Sequence, residues 1–462
     1  MGPRSSTKRT GLYIIFFAAA FCGCLTFTLK YFSQAFPCSD IEISIDGNMA
    51  ETRARSFLGR LGYDSEGYHA VVSFEQDEEV DHYLQNTIGI DRLNELLKIS
   101  EVCLHYFRVR FYEQGGEEEF VVGVSSNGMI DGFRRYITDT YGGGMLDEES
   151  AAKIATDFLE NIQGENPALY ELNSARSRVL EQRTDYAFVW AREWPYHAGT
   201  KQEIMVHVHG ESVGFVEKYI KVPDSFSRGL DRESSYSSLL LEFSKFATLG
   251  LVLLALFVII YRAVNRLYIS WRYGIYIGLV TGSIAILLAV NNYPVLAIRY
   301  STNVDWWVFV TKELLLVMGG ALLAGLQVLI FSVAGKPLEC EEFRDTGDDS
   351  SGADAILCRD SDSSLIKRCC IGYLLGMALL TLHVAYYVIA RRFGAWFPSS
   401  PRYSNAYLSF VPVVSIIGAS ALATFSEEIP FRLFAIPFLK KYTKSNTLAV
   451  IIPAIIWAAM HT

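Results

Sequence analysis

Histidine is scarce in this chain, eight residues in 462, and none stands in a His-Glu-x-x-His string, which excludes the commonest zinc-hydrolase signature. No glycine-rich loop ends in Gly-Lys-Ser or Gly-Lys-Thr, so phosphate cradling of the P-loop kind is absent as well. A basic excess is lacking: 41 Lys and Arg face 50 Asp and Glu, and the net charge of −9 argues against nucleic acid as a partner. The eight cysteines show no zinc-like pairing. What the chain has in quantity is apolar residues, 51% of the total with a mean hydropathy of +0.21, more than a soluble protein usually carries.

These apolar residues are gathered into runs at 11–29, 246–261, 273–290, 308–333, 370–390, 406–439 and 446–462. They predict a multi-pass α-helical membrane protein with about seven transmembrane helices. Arg4, Lys8 and Arg9 precede the first run, which is read as an uncleaved anchor with a cytoplasmic N-terminus rather than as a signal peptide. Cys24 makes only a weak lipobox match. Arg262, Arg266 and Arg272 follow the second run, Lys336, Arg344, Arg359, Lys367 and Arg368 the fourth, and Lys440, Lys441 and Lys444 the sixth, so these loops are expected in the cytoplasm. Arg391, Arg392 and Arg402 fall on the opposite side and conflict with the rule. Trp306, Trp307 and Trp396 sit at run ends and read as interfacial anchors.

The pattern divides the chain at 1–35 (cytoplasmic head and anchor), 36–145 and 146–242 (two extracytoplasmic α+β units), 243–334 (three membrane helices), 335–368 (an acidic, disordered cytoplasmic linker) and 369–462 (the last membrane runs). The two outer units read as repeats. Each starts with a short amphipathic helix, Ala54-Arg55-Ser56-Phe57-Leu58 or Ala155-Thr156-Asp157-Phe158-Leu159, and ends in a strand, 132–137 or 214–220. Alternating runs at 105–112, 120–125 and 204–209 suit half-buried strands. The offsets between the copies differ, so one copy carries an insertion, and the pair loosely resembles PepSY-type inhibitor or sensor modules. Cys38 and Cys103, the only cysteines of this region, form either a disulfide in an oxidising compartment or two free thiols. His207 and His209 share a strand face; without a third ligand they read as surface histidines rather than half of a metal site. His383, within the fifth run, reads as a bond to a neighbouring helix, with the active cavity as the alternative.

The most informative residues lie in Ser426-Glu427-Glu428-Ile429-Pro430-Phe431-Arg432, flanked on both sides by apolar sequence. A carboxylate at membrane depth costs roughly 2.5–3.5 kcal/mol on insertion scales, so such residues are functional candidates. Glu428 and Arg432 stand at i and i+4 and can pair, whereas Glu427 points about 100° away and stays free as a base. Pro430 lacks an N–H, and a kink is expected just before the acids. A buried ion pair that sets helix register is the competing reading of Glu428–Arg432; it does not account for Glu427. A further ionisable group, His461, closes the next apolar helix.

These residues resemble the CAAX prenyl protease and bacteriocin-processing family of intramembrane endopeptidases. The family's Glu-Glu-x-x-x-Arg motif is matched by Glu427, Glu428 and Arg432, and its Phe-x-x-x-His motif by Trp457 and His461, with tryptophan in place of phenylalanine. The resemblance covers roughly residues 370–462. A third motif, a histidine followed four residues later by Asn or Asp, normally lies on a later helix, and the last apolar run reaches only about 25 Å at ~1.5 Å per residue, short of the ~30 Å hydrocarbon core. The expectation is a partial reading of a longer family member. The resemblance implies hydrolysis of peptide bonds in a membrane peptide or membrane protein, prenylated substrates included, with no catalytic metal or other cofactor. Glu427 with His461 would activate water, and Glu428 with Arg432 would hold the geometry. The implied setting is a bacterial plasma membrane. A non-enzymatic membrane sensor, immunity or scaffold protein with a ligand-binding outer domain is the alternative.

Overall fold

The computed structural model of the chain describes residues 4–36, 43–99, 101–343, 362–393, 395 and 404–461. Its elements run α1 Arg4–Ala35, α2 Gly47–Arg60, β1 His69–Gln76, α3 Glu78–Ile88, α4 Ile90–Lys98, β2 His105–Tyr112, β3 Glu119–Ser125, β4 Ile130–Tyr136, α5 Glu148–Phe158, β5 Glu171–Val179, β6 Thr184–Glu193, β7 Lys201–His209 and β8 Ser212–Lys221. The helical remainder is α6 Asp224–Val264, α7 Trp271–Asn291, α8 Tyr293–Leu296, α9 Trp306–Phe343, α10 Asp362–Ala390, α11 Pro412–Glu428, α12 Ile436–Thr443 and α13 Asn446–Ala459.

All eight strands join one antiparallel sheet in the order β1-β2-β3-β4-β8-β7-β6-β5. Alternation along the strands builds its core: Phe107, Val109 and Phe111 of β2, Phe120, Val122 and Val124 of β3, and Val206 and Val208 of β7 point to one face. On that face α2 presents Ala54, Phe57 and Leu58, and α5 presents Ala155 and Phe158, so the two amphipathic helices read from sequence are the lid of this core. Asp46 and Asp147 cap the two helices by accepting from Met49 N and Ser150 N. Each half of the sheet is a helix followed by four strands, and α3 and α4 are inserted between β1 and β2.

Among the described residues six helices are long and apolar enough to cross a membrane, within Phe16–Ala35, Asp224–Val264, Trp271–Asn291, Trp306–Glu342, Cys369–Phe393 and Pro412–Thr443. The chain is thus a multi-pass membrane protein with a sheet domain. The seventh run forms the shorter apolar helix α13, 14 residues long, because it turns at Ala459. The sixth run starts its long helix at Pro412 rather than at 406. The acidic linker expected from Gly335 starts later: α9 continues through Pro337 to Phe343, and Lys336–Glu339 at 2.8 Å ties its last turns. Of the remaining readings, Cys38, Cys358, Trp396 and Arg402 lie outside the described residues. Cys103 is a free thiol.

The sheet domain sits on one end of the helices. Arg110 holds Glu119 at 2.7 Å and also donates to the Tyr300 carbonyl between α8 and α9. Phe74 N donates to Asn405 Oδ1 at 2.9 Å, and Arg391, one of the residues in conflict with the charge rule, pairs with Asp91 at 2.5 Å. At the other end, Arg262 of α6 and Lys441 of α12 share Glu341 of α9 at 2.8 and 2.9 Å, and Lys440 pairs with Glu342. α7 and α9 cross at Gly278 and Gly325, where a Cβ on either residue would meet the other's carbonyl oxygen at 2.7–2.8 Å. His383 of α10 stacks on Phe36 beside the Thr28–Thr381 hydrogen bond of α1 and α10, so it bridges helices and does not enter the glutamate site.

Candidate active site

The helix carrying the glutamates does not break before them. α11 runs through Glu428 and then widens into a π-helical segment, Ile429–Ala435, before narrowing again as α12. The reason is proline: Pro430 and Pro437 bracket the segment and neither has an N–H to give. The wider turn moves the bonding register, as Ile436 N shows by donating to the Phe431 carbonyl, five residues back. The wide turn buries Ile429, Phe431, Phe434 and Ala435 against Leu251 and Val258 of α6 and Val328, Phe331 and Leu338 of α9. Gly335 of α9 lets the two backbones touch, since a Cβ there would lie 2.6 Å from the Leu433 carbonyl oxygen.

Glu428 Oε2 accepts from Arg432 Nη1 at 2.8 Å, the i, i+4 pair anticipated. Arg432 is not buried: its side chain is 74% exposed and that of Glu428 is 42% exposed. Glu427 is the more enclosed acid, at 26%. Its Oε2 accepts from the indole Nε1 of Trp457 at 2.8 Å, and its Oε1 stands 3.7 Å from His461 Nε2. His461 Nδ1 lies 2.9 Å from the Trp457 carbonyl, and the imidazole stacks on the indole with centroids 4.4 Å apart. Glu427 and His461 therefore meet and Trp457 joins them, while Glu428 and Arg432 form a pair of their own. A carbonyl oxygen can only accept, so Nδ1 carries the proton and Nε2 of the neutral ring is an acceptor facing a carboxylate oxygen. Two acceptors at 3.7 Å are satisfied by a proton on the ring or by a water that donates to both.

The sequence reading did not anticipate the indole as a hydrogen-bond donor, or Gly335 as the residue admitting the wide turn. The first was readable in the Trp-for-Phe replacement, since only tryptophan has an N–H there. A Gly210-Glu211-Ser212-Val213-Gly214 string also passed unnoticed. It spans the β7–β8 hairpin turn and the first residues of β8, not a strand-to-helix turn, and Ser212 Oγ donates to the His209 carbonyl, so it is no nucleophile elbow. His207 and His209 both precede this turn on β7 with ring centroids 6.3 Å apart, and burial holds both below the usual histidine range. No third metal-ligating side chain gathers with them among the described residues.

Residues 409–462 match the family described as type II CAAX prenyl endopeptidase Rce1-like. This Rce1-like segment contains α11, the wide turn, α12 and α13, and with them Glu427, Glu428, Arg432, Trp457 and His461. No curated protein and no solved structure matches the chain.

Proposed function

We propose that the chain is an intramembrane endopeptidase of the CAAX-protease type that cleaves membrane-associated or prenylated peptides with a glutamate-activated water. The observation that carries this reading is the convergence of Glu427 Oε1 and His461 Nε2 at 3.7 Å, on an acid that Trp457 already orients. Water between the two would donate to both and be deprotonated by Glu427 as it attacks the scissile carbonyl. His461 then takes or returns the proton at Nε2. Glu428 and Arg432 act as a pair that fixes the wide turn and presents a cation beside the reacting carbonyl.

The protein is read with its sheet domain outside the cytoplasm of a bacterial plasma membrane. The basic residues of the Arg262–Glu341–Lys441 cluster, at the end opposite the sheet contacts at Tyr300 and Asn405, support reading that end as cytoplasmic. The two helix-plus-four-strand halves are read as copies of one unit, joined through their last strands. The chain is tested in lipid against prenylated and unprenylated membrane-anchored peptides. Wild type cleaves, Glu427→Gln does not, and both bind substrate alike. Absence of turnover by wild type, or equal turnover by Glu427→Gln, rejects the reading.

A further inference from the structure

The sheet is continuous in strand order but not in pairing. β4 and β8 bond only over Gly132↔Glu217, Phe133↔Val216 and Arg134↔Phe215. Yet β4 starts at Ile130 and β8 runs on to Lys221. β4 bulges at Asp131 against β3, so beyond Gly132 it does not continue the register that would bring Asp131 to Lys218 and Ile130 to Tyr219. Instead the strands part, and a cavity of about 990 Å³ opens where they do. Arg53 of α2, Cys103 and His105 at the start of β2, and Gln163 beyond α5 line it together with the parted strands.

Two features show that this cavity is not a settled interior. His105 Nδ1 and Gln163 Nε2 are buried there without a hydrogen-bond partner, an arrangement that folded proteins keep rare. Three carboxylates, Asp77, Asp131 and Glu217, also meet around it. Burial raises each above the ordinary carboxylate range, Asp131 to about 6. Cys103 hydrogen-bonds the Asp131 carboxyl, Lys218 lies near it while pairing with Glu165 at 2.6 Å, and Arg53, Arg60, Arg108 and Arg134 also line the cavity. Among the described residues no side-chain cluster suits a metal ion. Two facing strand edges, buried polar atoms without partners and the desolvated Asp131 carboxyl suit an extended polypeptide, which supplies backbone donors and acceptors on both sides and a side chain every second residue.

We propose that this split in the sheet binds an extended segment of a separate polypeptide, which adds as a short strand between β4 and β8 and presents a lysine or arginine side chain to Asp131. The proposal is independent of the proteolytic site, because binding needs no turnover.

The test is fluorescence anisotropy on the full chain in lipid nanodiscs, with a labelled nine-residue peptide of alternating threonine and valine around a central lysine. Saturable binding is expected, weakened by about tenfold or more when the centre is glutamate, and by as much when it is proline, which cannot donate to a ladder. Asp131→Asn should remove the lysine-over-glutamate preference and keep the sensitivity to proline. Should that variant misfold, mass-spectrometric mapping of wild type serves in its place: bound peptide should slow maleimide labelling of Cys103 and leave Cys369 unaffected. No saturable binding, equal affinity for the proline peptide, or unchanged Cys103 labelling with peptide bound overturns strand addition. Equal affinity of wild type for the lysine and glutamate peptides overturns the basic specificity.

Discussion

Gly335→Ala places one methyl group against the wide turn that carries the site. Its Cβ would lie 2.6 Å from the Leu433 carbonyl oxygen, 2.9 Å from the Leu433 carbonyl carbon and 3.1 Å from Phe434 Cα, where ordinary Cβ contacts lie at 3.4–4 Å. All three atoms are backbone, so no side-chain rotation relieves the overlap, and α9 must move away from the turn. Overpacking of this kind costs about 1–3 kcal/mol. Alanine also gains up to about 1 kcal/mol of helix propensity. Gly319→Ala on the same helix isolates that gain, because a Cβ there meets nothing within 4 Å. The difference between the two variants is then the overlap itself, about 1–3 kcal/mol, read as thermal stability in detergent or lipid. Turnover should fall further, because a displacement of about 1 Å at a catalytic group can cost on the order of 100-fold. Equal stability and equal peptide cleavage by Gly335→Ala and Gly319→Ala would refute the idea that close approach of α9 shapes the site.

Three further outcomes follow from the same geometry. Trp457→Phe removes the indole donor to Glu427 Oε2 and part of the ring stacked on His461; hydrogen bonds to charged groups contribute about 1.5–3 kcal/mol, so turnover should drop about tenfold or more with little change in thermal stability. Glu341→Gln leaves Arg262, whose side chain is 6% exposed, and Lys441 without their shared partner. Because Glu341 itself is 43% exposed, the loss should be about 1–2 kcal/mol, below the ~3–5 of a fully buried pair, and should show as a lower Tm in detergent. In the sheet domain, burial raises Asp131 to about 6, so its contribution is full below roughly pH 4 and is lost as the pH rises through 6. The Tm of Asp131→Asn should therefore gain on wild type between those values and then level off, and a flat difference would show that the carboxylate is not desolvated.

The parts of this fold that sequence discloses are those whose cause is local. Glu428 and Arg432 pair because they are four residues apart on one helix, and α2 and α5 announce themselves by an apolar stripe behind an aspartate cap. The strand β2 shows its alternation over His105–Tyr112 without help from its neighbours. What the sequence hides depends on partners far along the chain. Pairing of β4 with β8 joins Phe133 to Val216, and nothing in either strand states that the other lies beside it. Pro430 suggests a kink when α11 is read alone; packing of Phe431 and Phe434 on α6 and α9 turns the same missing N–H into a wide turn instead. The polar end of α9 reads as linker, yet Glu341 and Glu342 are drawn into the helix by Arg262, Lys440 and Lys441 from two other elements.

That division bears on which part of the chain can act. The polar groups of the site all lie in the segment that matches the Rce1-like family, but the surface that shapes their helix does not. Phe434 meets Phe331 of α9 at 5.4 Å between ring centroids, and Ile429 and Ala435 pack in the same cluster as Leu251, Ala255 and Val258 of α6. In lipid this packing gains little from hiding apolar area, since hydrocarbon is as good a surrounding; it rests on close contact, which small residues such as Gly335 permit. A wide turn is less regular than the α-helix on either side and persists only where neighbours fit it. Glu427 and Glu428 sit at the junction where α11 gives way to that turn, so their directions depend on α6 and α9. Motif residues alone therefore do not make the site: the helices that follow the sheet domain set the angle at which Glu427 meets Trp457 and His461.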